Sequence, residues 1–252
     1  MKTSILGCVA LMGLLTIGGP LSAASMDDRS TAELRQLAEA GNAEAQYDLG
    51  VRHAMGKGAE QSFAKANDWW RKAAAQGDLR AHYNLGISYA QGFGVPQSHK
   101  EAVAWYRKAA EKGFPAAQAN LGAAYFTGDG VEQSYEQAVA WYRKSAEQGY
   151  AQGQRNLGDC YYRGLGVARS YEQAVVWFRK AAEQDYALAQ FDLGRCYHEG
   201  KGVERSDKTA QEWLGKAADN GCEEASEYAF RMQLDTPESR FWTFFNKYFR
   251  FW

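Results

Sequence analysis

Five Leu-Gly dipeptides, at Leu49-Gly50, Leu85-Gly86, Leu121-Gly122, Leu157-Gly158 and Leu193-Gly194, follow one another at a constant spacing of 36 residues. No other feature limits the fold so severely, because a fixed period of this length marks a repeat architecture. Trp69, Trp105, Trp141, Trp177 and Trp213 keep the same register. So do the glycine pairs from Gly56/Gly58 to Gly200/Gly202 and the alanines from Ala66 to Ala210. The stretch SYEQAVAWYRKSAEQGYA at 134–151 recurs at 170–187 with four of eighteen positions changed. A catalytic sequence is rarely needed twice, whereas a structural module is.

Each repeat reads as two helices. The first runs from an Ala-Gln pair through Leu-Gly to the aromatic before GxG, as in AAQANLGAAYFTG; the second begins at a serine and ends at a glycine. Ser98, Ser134 and Ser170 each precede Glu101, Gln137 or Gln173 by three residues, the capping-box spacing that satisfies orphan amides. Gly77, Gly113, Gly149 and Gly221 stand where a left-handed helix end favours a residue without Cβ, and Asp185 interrupts that row. The Arg-Lys pairs in the last turns, such as Arg143-Lys144, suit the helix dipole and read as solvated surface. Alanine and glycine on both helices let backbones approach, while Leu, Tyr and Trp fill the gaps. One repeat cannot bury its apolar face alone, so stacking is required, giving a right-handed superhelix stabilised by nearest-neighbour interfaces.

The pattern A-x-x-x-LG-x-x-Y-x-x-G-x-GV…A-x-x-WYRKAAEQG resembles the Sel-one-like repeat family, a branch of the tetratricopeptide-like α-solenoids. The expected fold is therefore all-α, a solenoid of about five helix-turn-helix repeats with capping helices at both ends. The expected boundaries are a signal peptide at 1–24, a capping helix at 25–42 and repeats over 43–78, 79–114, 115–150, 151–186 and 187–222. A partial sixth repeat helix follows at 223–235 and an aromatic amphipathic helix at 236–252.

Lys2, the uncharged run Ile5 to Ile17 and the small residues Ser22 and Ala24 fit a secretory leader cut near Ala24. The run is too short for a spanning helix, which needs ~20 apolar residues. The expected location is thus periplasmic or secreted, in a bacterial cell envelope. Net charge is −1, so the clustered basic excess of a nucleic-acid binder is lacking. His53, His82, His99 and His198 fall at unrelated repeat positions, without metal-ligand spacing; no metal or cofactor is expected. Beyond the leader remain Cys160, Cys196 and Cys222. Cys160 and Cys196 share one position in successive repeats, where stacked helices lie ~8–10 Å apart and a disulfide needs ~7 Å or less. Free buried thiols are expected.

Ser62-Phe63-Ala64-Lys65 matches the S-x-x-K pattern of penicillin-binding enzymes. The resemblance implies an alternative here, since some secreted, cysteine-rich family members are linked to β-lactam or cell-wall-fragment binding or hydrolysis. Against it, Ser62 opens the row Ser62, Ser98, Ser134, Ser170, Ser206, one serine per second helix. Capping explains all five and catalysis explains one. The accompanying S-D-N and K-T-G elements are absent, so no catalytic residue is assigned.

The copies disagree where the first helix, by the family resemblance, faces a concave groove. Candidate partner-binding residues there are Tyr47 and Asp48 in the first repeat, and Arg80, Tyr83, Asn84 and Ile87 in the second. The third contributes Asn120 and Phe126, the fourth Arg155, Asn156, Asp159 and Tyr162, and the fifth Phe191, Asp192, Arg195 and His198. One row stays short and polar, Asp48, Asn84, Asn120, Asn156, Asp192. It serves either the backbone of an extended peptide or a neighbouring helix. The implied function is a non-catalytic scaffold or adaptor binding a protein or peptide. The segment TPESRFWTFFNKYFRFW is too aromatic to be left in water. Two readings stand open: it covers the last repeat, or residues 237–252 contact a membrane surface or a partner.

Overall fold

The structure, a computed structural model, describes residues 29–234; the leader and the aromatic segment lie outside them. Twelve helices and no strand occur among these residues. They are α1 (Thr31–Glu39), α2 (Ala43–Met55), α3 (Phe63–Ala75), α4 (Leu79–Gln91), α5 (His99–Ala110), α6 (Pro115–Thr127), α7 (Tyr135–Glu147), α8 (Ala151–Arg163), α9 (Tyr171–Ala182), α10 (Ala187–Glu199), α11 (Asp207–Asp219) and α12 (Glu223–Leu234). The chain divides after Ser134 into two compact units, α1–α6 and α7–α12. Within each unit, helices pack on their neighbours in chain order. This is the all-α helical-repeat fold that the period predicts.

Serine opens the second helices. Ser62, Ser98, Ser170 and Ser206 are extended residues whose Oγ accepts the amide of Lys65 (3.3 Å), Glu101 (3.3 Å), Gln173 (3.2 Å) and Thr209 (3.2 Å). The reciprocal half of a capping box is formed at Ser30–Glu33 (2.9 Å). At Ser170 the hydroxyl instead donates to Glu172 (2.9 Å), so only the serine half of the predicted box forms there. The first helices all close on a left-handed glycine, from Gly56 to Gly200. Asp185, with φ +59°, is the one non-glycine in that region among the described residues.

The Leu-Gly dipeptide has a packing cause. Each leucine from Leu49 to Leu193 is fully buried. Gly50, Gly86 and Gly158 each meet a ring of their own repeat's second helix, and Gly194 meets Leu214. A Cβ on Gly50 would lie 2.4 Å from Trp70, on Gly86 2.4 Å from Tyr106, and on Gly158 2.7 Å from Phe178. The ring occupies the space that a side chain would need.

Polar contacts recur with the same period. The buried glutamine near the start of the first helix donates to a carbonyl at the end of the preceding helix: Gln46 to Ala38 (3.0 Å), Gln118 to Ala110 (3.1 Å), Gln154 to Ala146 (3.3 Å) and Gln190 to Ala182 (3.2 Å). Each of these carbonyls also accepts the amide three residues on, so the glutamine adds a second bond at the helix end. The Arg-Lys pairs are more than solvated surface. Arg107 donates to the Tyr125 hydroxyl (3.1 Å) and Arg179 to that of Tyr197 (2.7 Å). Lys72, Lys108, Lys144, Lys180 and Lys216 lie 3.8–4.5 Å over Trp69, Trp105, Trp141, Trp177 and Trp213.

The ends of the repeat array are covered. Leu34 and Ala38 of α1 join Ala45 and Leu49 in one apolar cluster. Ala225 and Met232 of α12 join Ala210, Leu214 and Ala217 in another. Cys160, Cys196 and Cys222 are free and buried, and burial pushes the Cys160 and Cys196 thiols up to about 12.

Candidate interaction face

The first helices carry the divergent residues, and each unit arranges them differently. In the N-terminal unit, Asp78 caps α4 by accepting the Arg80 and Ala81 amides (2.9 and 3.0 Å). The same carboxylate receives Nη2 of Arg80 at 2.7 Å. The guanidinium therefore lies back over the Tyr47 ring, 4.1 Å from its centroid. Asp48 is half-buried beside them, without a hydrogen bond among the described residues. Burial pushes its carboxyl up to about 6, opposed by Arg80 and reinforced by Glu44 and Asp78.

Tyr83, Asn84 and Ile87 are buried, at 5%, 3% and 5% exposure, not open surface. The Tyr83 ring is 5.6 Å from Phe114 and 6.0 Å from Tyr106. The Asn84 Nδ2 is buried with no hydrogen-bond partner, although its side chain adjoins the Tyr47 hydroxyl. Asn120 meets the Tyr106 hydroxyl, and Phe126 is half-buried.

In the C-terminal unit, Asp192 is 1% exposed and bridges two arginines. Its Oδ2 accepts Nε of Arg155 (2.7 Å) and its Oδ1 accepts Nη2 of Arg195 (3.1 Å). Burial disfavours both cations, yet Asp192 together with the other neighbouring groups raises their pKa values. The Arg195 guanidinium stands 4.8 Å from the Tyr162 ring and 5.8 Å from that of Phe191. The Tyr162 hydroxyl donates to Glu199 (2.8 Å) and accepts from Lys201 (3.0 Å). Lys201 pairs with Glu199 at 2.8 Å, and these two partners raise the ammonium's pKa.

The structure thus brings together Tyr47, Asp48, Arg80 and Asn84 in one unit, and Arg155, Tyr162, Phe191, Asp192 and Arg195 in the other. It engages Asp159 with Arg163 (2.9 Å) and His198 with Asp207 (2.7 Å), and leaves Asn156 half-buried. Sequence reasoning missed Asp78, Lys201 and Tyr228, whose ring meets Phe191 edge-on at 5.6 Å. Two of them were detectable. Lys201 stands between the paired glycines, in phase with Lys57, Phe93, Asp129 and Leu165, and Tyr228 continues the row of Asp192.

The S-x-x-K match resolves into capping: Ser62 holds the Lys65 amide while the Lys65 ammonium pairs with Glu60 at 2.6 Å. Among the described residues no group of three or more His, Cys, Asp or Glu is placed to hold a metal ion. None of the described helices is long and apolar enough to cross a membrane.

Fold and site together define a helical-repeat protein whose constant residues build the scaffold and whose divergent ones line the first helices. The model of the Sel1 repeat family matches residues 43–78, 79–114, 115–150, 151–186 and 187–222. The chain belongs to the Sel1 repeat family. It is 42% identical to a protective antigen of uropathogenic Escherichia coli displaying an SLR fold. The TM-score is 0.76, over 82% of this chain and 44% of that one, so it spans under half of the antigen. A Sel1 repeat protein of Oxalobacter formigenes is 30% identical over 85% of this chain and 95% of its own, with a TM-score of 0.73. An immunity protein of Pseudomonas aeruginosa, 19% identical over 88% and 85% with a TM-score of 0.51, shares the fold. Among curated proteins no relative was found. Members of the family are commonly non-catalytic scaffolds that bind protein partners.

Proposed function

We propose that this protein is a non-catalytic interaction scaffold that binds a protein or peptide through the first-helix faces of its repeats, in a bacterial cell envelope. The carrying observation is an accessible arginine and aromatic cluster on first helices, at positions where the repeats diverge. Arg155 and Arg195 each give Asp192 one N–H and keep 26% and 25% of the side chain accessible, with Tyr162 and Phe191 beside Arg195. Arginine and aromatic side chains are the usual anchors of protein interfaces. The basic start, apolar run and small residues of the first 24 positions support export.

The test is capture from an envelope extract by three forms of the protein. Tyr47→Ala/Arg155→Ala/Tyr162→Ala is expected to lose a partner that the wild type and Lys72→Ala/Lys108→Ala both keep. Retention of every partner by the first variant overturns the reading. A fusion of residues 1–24 to a reporter active only outside the cytoplasm tests export; an inactive fusion overturns that part alone.

A further inference from the structure

Building on the interaction reading above, we propose that the Arg155–Asp192–Arg195 cluster seats one acidic side chain, Asp or Glu, of an extended partner peptide. Each arginine gives Asp192 a single N–H, although a guanidinium carries five donors arranged to grip a carboxylate with two. The Arg155 Nη atoms make no hydrogen bond among the described residues. Arg195 gives Asp192 its Nη2 alone, its Nε being buried and unpaired. About a quarter of each side chain stays accessible, 26% and 25%, while Asp192 is covered. The arginines are thus the reachable part of the cluster.

Charge points the same way. Two guanidiniums share one buried carboxylate, so the trio carries one net positive charge. Asp159 and Glu199 also act on Arg155 and Arg195, but each is paired with a cation of its own, Asp159 with Arg163 and Glu199 with Lys201. One carboxylate on the partner balances the surplus. Tyr162 and Phe191 flank Arg195 and offer an apolar wall to a neighbouring residue. On an extended chain, side chains two positions apart share a face at about 7 Å, so the favoured ligand reads acidic-x-aliphatic. Glu199 and Lys201 hold the Tyr162 hydroxyl from two sides, and a wall ordered beforehand loses less freedom on binding.

The probes are fluorescein-labelled decapeptides with a C-terminal amide and the core Glu-Ser-Leu in a Ser/Ala background, with Gln-Ser-Leu and Lys-Ser-Leu versions. They are titrated into the full chain by anisotropy and by NMR of the arginine Nε–H groups. The Glu peptide is expected to bind at least about tenfold more tightly than the Gln peptide, the scale of a charge-assisted pair, and to shift the Arg155 and Arg195 signals. Arg195→Gln and Arg155→Lys, each checked for native circular dichroism, are expected to abolish that preference. Should either fail to fold, the signal shifts in the wild type still decide.

Equal binding of the Glu and Gln peptides overturns the carboxylate seat while leaving the interaction reading intact. If the Gln peptide with a free C-terminal carboxylate binds as tightly as the amidated Glu peptide, the anion is a chain end and the side-chain assignment falls. If no peptide binds, the proposal falls, and the capture experiment above judges the interaction reading separately.

Discussion

Asp48 and Asp192 hold the same position of the repeat, four repeats apart, and live under opposite electrostatics. In the N-terminal unit the guanidinium that most opposes the effect of burial on Asp48, Arg80, is held by Asp78 at 2.7 Å. Asp48 is half-buried without a hydrogen-bonded cation, and burial raises its pKa to about 6. In the C-terminal unit Asp192 is more deeply buried, yet Arg155 and Arg195 each donate to it. The backbone of the repeat fixes where the carboxyl stands. What its neighbours supply decides whether the charge is tolerated, and those neighbours lie at the positions where the copies diverge.

If the two units share a scaffold and differ only on the first-helix face, scaffold lesions should cost the same in both. Gly86→Ala drives a Cβ to 2.4 Å from Tyr106, and Gly158→Ala drives one to 2.7 Å from Phe178. Each is expected to lose about 3 kcal/mol, the upper range for overpacking a filled core, in urea unfolding followed by circular dichroism. A large difference between them breaks the comparison at its base. Face lesions should differ. Asp192→Asn removes the only charge between two guanidiniums and is expected to lose about 2 kcal/mol, below the ~3–5 of a fully buried pair because the arginines stay partly solvated. Next come the caps: Ser62→Ala and Ser170→Ala are expected to cost about 1 kcal/mol each. Loss of an activity in Ser62→Ala alone, with no matching fall in stability, would contradict a capping role.

The scaffold was legible because its causes are local and repeated. Leu-Gly needs a bulky side chain opposite, Ser needs an amide three residues on, and each rule is met in four of the repeats. The face was legible only as a set of positions. Tyr83, Asn84 and Ile87 read as groove residues by phase, but neighbouring rings such as Phe114 and Tyr106 close over that turn of α4. Nothing in the period shows that Arg155 reaches Asp192 in the next repeat, because that bond depends on side-chain length across a helix interface. The GxG loop looked purely structural, so Lys201 passed unnoticed although it obeys the same criterion of variation inside a constant frame.

An effect no larger than a lost cap is the most discriminating. The folded-state pKa of Asp48, about 6, lies above its unfolded value of 3.8, so the folded protein binds this proton more tightly. The associated stability is fully present below about pH 4 and lost as pH rises through 6. At about pH 8 the half-buried carboxylate is a liability that Asn, the residue standing at Asn84, Asn120 and Asn156, does not carry. Asp48→Asn is therefore expected to stabilise the protein by about 1 kcal/mol at that pH, a figure kept low because solvent screens a partly exposed group. The gain should vanish near pH 4. Paired urea titrations of Asp48→Asn and Asp192→Asn at the higher pH should then move in opposite directions. If both variants destabilise, Asp48 has a cationic partner after all, and the contrast between the two units disappears.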